Sequence, residues 1–150
     1  MRRRPKHWPF RSSPQLLQIA DWAQRHGIWV ISDDIYRAFD YTGTYQSILR
    51  VAPQLRDRSV VVGGVSEEHA VTGWRVGWLA APPEIIASTR LHVSRTITHV
   101  PTANQRAALA AFGDTGTPAR AASDYRRRRA LRNALGAASE MAVRPATATP

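Results

Sequence analysis

Ile28–Asp34, IWVISDD, is a short continuous apolar run closed by two carboxylates. A run of this length without polar alternation reads as a strand buried on both faces of a parallel sheet. The flanks agree with that reading. Upstream, Ser12 or Ser13 followed by Pro14 marks a helix start, because proline in a first turn gives up an N–H that has no helical partner there. Leu16, Leu17, Ile19, Ala20, Trp22 and Ala23 then form a helical apolar stripe that stops at His26-Gly27. Downstream, SVVVGG (Ser59–Gly64) is a second β-branched strand stopped by glycines, and WRVGWLAAP (Trp74–Pro82) is a third. Pro82-Pro83-Glu84 opens a helix through Ile85, Ile86, Ser88 and Leu91; Gln105 to Phe112 belong to another, and Tyr125–Leu135 is a basic helix. Helices between buried strands predict an α/β domain with a mostly parallel sheet.

The length of 150 residues is that of one domain, and the 43% hydrophobic content is ordinary. No apolar run approaches the roughly 20 residues that span a bilayer. The start, MRRRPKHWPF, has the charge of a signal peptide's first region with no apolar stretch behind it, so a cytoplasmic location is expected. The absence of cysteine excludes disulfides, cysteine-ligated zinc, iron–sulfur clusters and a thiol nucleophile; no metal site is expected. The formal charge of +10 raises nucleic acid as a partner. Its distribution argues against that, since the charge concentrates in Arg2–Arg4 and Arg126–Arg129, and Lys6 is the only lysine. An arginine-rich run without interleaved aromatics reads as a solvated helix face. The boundaries that follow are a basic, disordered 1–11, a folded 12–137 and a disordered, alanine-, threonine- and proline-rich 138–150.

In open α/β sheets ligands gather at the carboxyl ends of the strands. Asp33, Asp34 and Tyr36 close the first strand, Gly63 to Glu67 follow the second, and Arg75 enters the third. An acid, a phenol and an arginine at one edge suit an anionic heteroaromatic ligand, arginine being the side chain that grips phosphate bidentately. Each residue also has an ordinary reading: Asp33 as a turn residue, Tyr36 as a core aromatic with a wet hydroxyl, Arg75 as half of a surface ion pair.

Three segments carry a resemblance: DWAQRHGIWVISDDIYRAFDYTG (Asp21–Gly43), GGVSEEHAVTGWRVGWLAAP (Gly63–Pro82) and QRAALAAF (Gln105–Phe112). They are similar to successive landmarks of the class I/II, fold-type I aminotransferases that depend on pyridoxal 5′-phosphate (PLP), the aspartate aminotransferase family. The similarity runs from about Leu16 to Leu135 and covers the middle of the large domain. It implies an incomplete PLP-transferase large domain, a mostly parallel sheet flanked by helices. Asp33 then matches the residue that pairs with the pyridine nitrogen, Tyr36 the one that bonds the phenolate oxygen, and Arg75 the one that holds the phosphate. Asp34 stands where glutamate is more usual, and Gly64 where a hydroxyl often assists the phosphate.

One departure is chemical. After Ser66 the family places the lysine that bonds PLP covalently and shuttles the proton; this chain has Glu67. A carboxylate has no amine with which to form an imine, and it adds a negative charge near Asp33 and the phosphate. No N-P-x-G motif precedes the Ser13 helix, and the regions expected to supply the stacking aromatic and the substrate-carboxylate arginine have no counterpart. The resemblance therefore implies a truncated aminotransferase without activity of its own, the family reaction being amino-group transfer between an amino acid and a 2-oxo acid. Two alternatives stay open. One is a non-catalytic PLP-binding or interaction protein that forms a homodimer or docks with an intact relative; the other is nucleic-acid binding through the arginine clusters.

Overall fold

The computed structural model describes residues 11–142. Helix α1 (Ser13–Arg25) starts where the sequence places it, with Pro14 in its first turn. Gln15 Oε1 reaches back to accept the Ser12 N–H at 3.0 Å, satisfying a donor the helix itself leaves open. Gly27 turns the chain out of α1 at φ +64°, a conformation glycine takes without steric penalty. The chain continues through β1 (Val30–Asp33), the short α2 (Ile48–Val51), β2 (Ser59–Gly64) and β3 (Gly77–Ala80). Three helices follow: α3 (Pro83–Thr96), α4 (Thr102–Gly113) and α5 (Gly116–Ala142).

The strands form one sheet in the order β1-β2-β3. β1 and β2 are parallel, with Val30 opposite Ser59 and Asp33 opposite Val62. β2 and β3 are antiparallel, with Gly64 opposite Gly77. The mostly parallel sheet read from the sequence thus holds for the first pair and is corrected for the second. The reason lies in the connection: between β2 and β3 the chain makes only a 3-10 turn at Thr72–Trp74, whereas a parallel return usually needs a helical crossover.

The core sits between α1 and the segment after α2, where Ala20, Ala23, Ile48, Ala52 and Leu55 are buried and Leu16, Val30 and Leu49 pack against them. Burying a side chain such as Ile48 or Leu55 contributes about 2 kcal/mol. This layer covers only one face of β1. On the other, Ile31 is 73% exposed, so the strand is not buried on both faces as its apolar run suggests. β1 is an edge strand of this sheet, and the central strand β2 is the better covered, with Ser59, Val61 and Gly64 buried.

α5 extends to Ala142, so residues 138–142 of the expected tail are helical. Residues 1–10 and 143–150, for which disorder is expected, lie outside the described residues. Among the described residues no helix is long and apolar enough to cross a membrane, and no group of three or more His, Cys, Asp or Glu could hold a metal ion.

Candidate functional site

The antiparallel turn-back of β3 is what assembles the candidate edge. β1 ends at Asp33 and β2 at Gly64, while Gly77 begins β3 opposite Gly64. A parallel β3 would carry Arg75 to the far end of the sheet; the observed pairing returns it to the edge where β1 and β2 finish. The β1–β2 ladder runs on past the strand, the Asp34 N–H donating to the Val62 carbonyl at 2.9 Å. Asp33 is exposed and its Oδ1 accepts the Ile35 N–H at 3.1 Å, a turn that leaves the other carboxylate oxygen available. Asp34 is buried, with Oδ1 accepting from Ser32 Oγ at 2.7 Å. Burial first, then the neighbouring Asp34 carboxylate, push the Tyr45 phenol well above its ordinary pKa and keep it protonated.

Tyr36 and Glu67 meet in one cleft of about 240 Å³, lined with them by Phe39, Tyr41 and Tyr125. Asp33 and Arg75 do not line it. The rings form a connected group: Tyr36 and Phe39 have centroids 6.4 Å apart, and Phe39 meets Tyr125 of α5 edge-on at 5.2 Å and 83°. The Arg126 and Arg129 guanidinium groups lie over the Tyr41 ring at 5.7 and 5.3 Å, and Arg128 lies over Tyr125 at 5.6 Å. Arg126 Nη2 also donates to the Tyr41 carbonyl at 3.1 Å. The arginine run is therefore not simply a solvated face, because three of its members clasp the tyrosines of the cleft.

Arg75 follows the 3-10 turn in the left-handed region, at φ 53° and ψ 48°. For a residue with a Cβ this costs about 1–3 kcal/mol, which surrounding contacts must offset. One such contact is visible: Asn104 of α4 donates from Nδ2 to the Trp74 carbonyl at 2.8 Å and pins the residue before Arg75. The guanidinium is exposed and donates from Nη1 to the Thr72 carbonyl at 2.9 Å. Gly64 is buried against this segment, and a Cβ there would stand 3.0 Å from the Val76 carbonyl oxygen.

Two further anchors hold the loop after β1. Arg37 Nε donates to Glu68 Oε1 at 2.8 Å, and the Glu68 side chain is only 8% exposed. Removing the cation would leave a buried carboxylate uncompensated, so Arg37→Ala is expected to cost about 1–3 kcal/mol in chemical denaturation. Arg37→Lys should recover part of that, and an unchanged midpoint in Arg37→Ala would show that the pair is only superficial. Asp40 gathers the loop from its other end. Burial alone would raise its pKa, but hydrogen bonds from the Thr42 hydroxyl and from the Thr42 and Tyr45 N–H groups outweigh it and hold the carboxyl below its ordinary value. Its contribution to stability is thus present above the ordinary carboxylate range and lost as pH falls through the lowered value.

Of the residues singled out in the sequence, the structure brings Tyr36 and Glu67 together, with Asp33 and Arg75 on neighbouring segments of the same edge. Phe39, Tyr41, Tyr125, Glu68 and Asn104 were not anticipated. Phe39 and Tyr41 lie close to Tyr36 in sequence, and their clustering was the available signal; Tyr125, Glu68 and Asn104 reach the site only through long-range contacts.

Residues 11–149 match the family model for aminotransferase class I and II. The chain is 38% identical over 117 residues to an aspartate aminotransferase of Streptomyces avermitilis, covering 77% of this chain and 29% of that relative. It is likewise 38% identical over 102 residues to an asparagine–oxo-acid transaminase of Streptococcus mutans, covering 67% of this chain and 26% of the relative. Among solved structures, an aromatic aminotransferase from Pyrococcus horikoshii superposes with a TM-score of 0.75 at 33% identity, covering 80% of this chain and 33% of that one. An aspartate aminotransferase from Thermotoga maritima gives a TM-score of 0.75 at 28% identity, covering 82% and 32%. The chain thus spans about a third or less of these proteins. With matched sequence and matched fold both extending over most of its length, it belongs to the class I and II aminotransferase family, whose members depend on PLP.

Proposed function

We propose that this chain, which spans only part of the length of its aminotransferase relatives, holds PLP reversibly and does not by itself transfer amino groups between an amino acid and a 2-oxo acid. The observation that carries the reading is Glu67 in the cleft beside Tyr36; the resemblance of its segment is what assigns the family's lysine to that position. The donor set fits the cofactor's non-covalent contacts and not its covalent one. Asp33 offers an exposed carboxylate for the pyridine nitrogen, Tyr36 an exposed hydroxyl for the phenolate oxygen, and Arg75 an exposed guanidinium for the phosphate. To grip a phosphate, Arg75 gives up its bond to the Thr72 carbonyl, a modest exchange for a charge-assisted pair. When bound, PLP supplies an electron sink; the carboxylate of Asp33 keeps the ring nitrogen protonated. Glu67 has no amine to anchor the cofactor or to carry a proton in lysine's manner.

Thermal unfolding with and without PLP tests this. A ligand that binds only the folded chain raises the midpoint, by about 2.7 kcal/mol in stability at a hundredfold excess over its dissociation constant. Arg75→Ala should abolish most of that shift while leaving the unliganded midpoint in place. A melt that PLP does not move, or measurable transamination by the unmodified chain, would overturn the reading.

A second reading has its own support. Ile31, Leu109 and Leu135 are 73%, 73% and 72% exposed, more apolar surface than a lone domain usually leaves to water. It is the surface expected of a chain that forms a homodimer or docks with an intact relative, and co-purification with a full-length aminotransferase would favour it.

A further inference from the structure

We propose that the cleft between the loop after β1 and helix α5 binds a small alkylated ammonium cation. The inference rests on the reading of Glu67 as a residue that no longer anchors PLP, and it gives that residue a different task. Four aromatic rings, Tyr36, Phe39, Tyr41 and Tyr125, and one carboxylate, Glu67, line the space. Aromatic faces carry negative charge density and attract weakly hydrated cations, and a carboxylate among them adds a full counter-charge; the combination is the chemistry of an ammonium cage. A volume of about 240 Å³ accommodates a trimethylated nitrogen with a short substituent.

One observation shows that the lining accepts positive charge. Three guanidinium groups of α5 already lie over its rings, Arg126 and Arg129 on Tyr41 and Arg128 on Tyr125. The cation on the loop itself, Arg37, is spent on Glu68 at 2.8 Å. Glu67, by contrast, makes no hydrogen bond or ion pair through its side chain among the described residues, although it is half-buried. It is the one charged residue that lines the cleft, and no partner holds its side chain among the described residues. A lysine at this position would repel an ammonium ion; glutamate reverses the sign and converts the place of an amine into a receptor for one.

The test is a titration of the full chain with choline and with its neutral carbon isostere, 3,3-dimethylbutan-1-ol, at constant ionic strength, followed by tyrosine and tryptophan resonances. Choline is expected to bind with saturation and the isostere at least fivefold more weakly, since shape is shared and only the charge differs. Glu67→Gln, at a partly exposed position that keeps the side chain's size, should weaken choline by about tenfold. Equal binding of choline and isostere, unaltered affinity in Glu67→Gln, or saturable binding of benzoate in place of choline would each overturn the proposal, the last by showing that the arginines set the sign of the cleft. Arg75→Ala separates the two readings. It removes the PLP-induced shift in melting and leaves choline binding intact; absence of a PLP shift in the unmodified chain counts against the cofactor reading alone, and absence of choline binding by the unmodified chain counts against this one.

Discussion

Glu67→Lys is expected to turn reversible PLP binding into covalent loading. The new amine stands in the cleft with Tyr36, at the position that the proposed reading gives to the family's lysine. With the cofactor bound, an amine at this position would be able to condense with its aldehyde, with loss of one water. Borohydride reduction then fixes the link, and intact mass should show one cofactor per chain in the variant and none in the unmodified protein. The change runs from no labelling to nearly complete labelling, the largest effect foreseen here. If the variant stays unlabelled while PLP still raises its melting midpoint, Glu67 does not stand where the reading places it. The label must map to position 67, because Lys6 and the amino terminus also carry amines that borohydride could fix to the cofactor.

Gly63→Ala should be the most destabilising single-methyl change in the sheet. Gly63 lies opposite Trp78 across the β2–β3 pair, and a Cβ there would stand 2.5 Å from the indole Cζ2. No carbon pair tolerates that separation, so the indole or the strand must move, at about 1–3 kcal/mol for overpacking of this kind. The same strain would reach the site, because Gly64 and Arg75 flank this contact along β2 and into β3. A double variant with Trp78→Ala tests the cause: if the clash is the mechanism, the second change relieves the first and the two are strongly non-additive. Simple additivity in urea unfolding would show that backbone freedom at Gly63, not the indole, sets the cost.

Local chemistry made much of this protein legible from residues alone. Ser12 or Ser13 with Pro14 announces α1 because the start of a helix is a short-range affair. β1 and β2 announce themselves by β-branched runs closed with Asp33 or with glycines, and the order of Asp33, Tyr36, Glu67 and Arg75 suffices to suggest the family. What these residues cannot encode locally is direction and company. The apolar run around Ile31 says that a strand exists and leaves open whether anything covers its outer face; here nothing among the described residues does. Arg126–Arg129 look like a solvated stripe, since nothing within their own helix tells them of Tyr41.

Residue type and near neighbours sufficed for the three strands, the main helices, the α/β class and the family resemblance, and they put a glutamate after Ser66. The antiparallel run of β3, which returns Arg75 to the edge where Asp33 ends, emerged from the packed chain alone. Packing also decided that Glu67 faces an aromatic cleft walled by Tyr125 of α5. Strand direction follows from how the chain crosses between strands, and a cleft from which distant faces find each other; both are set by packing across the whole chain, which no local pattern contains.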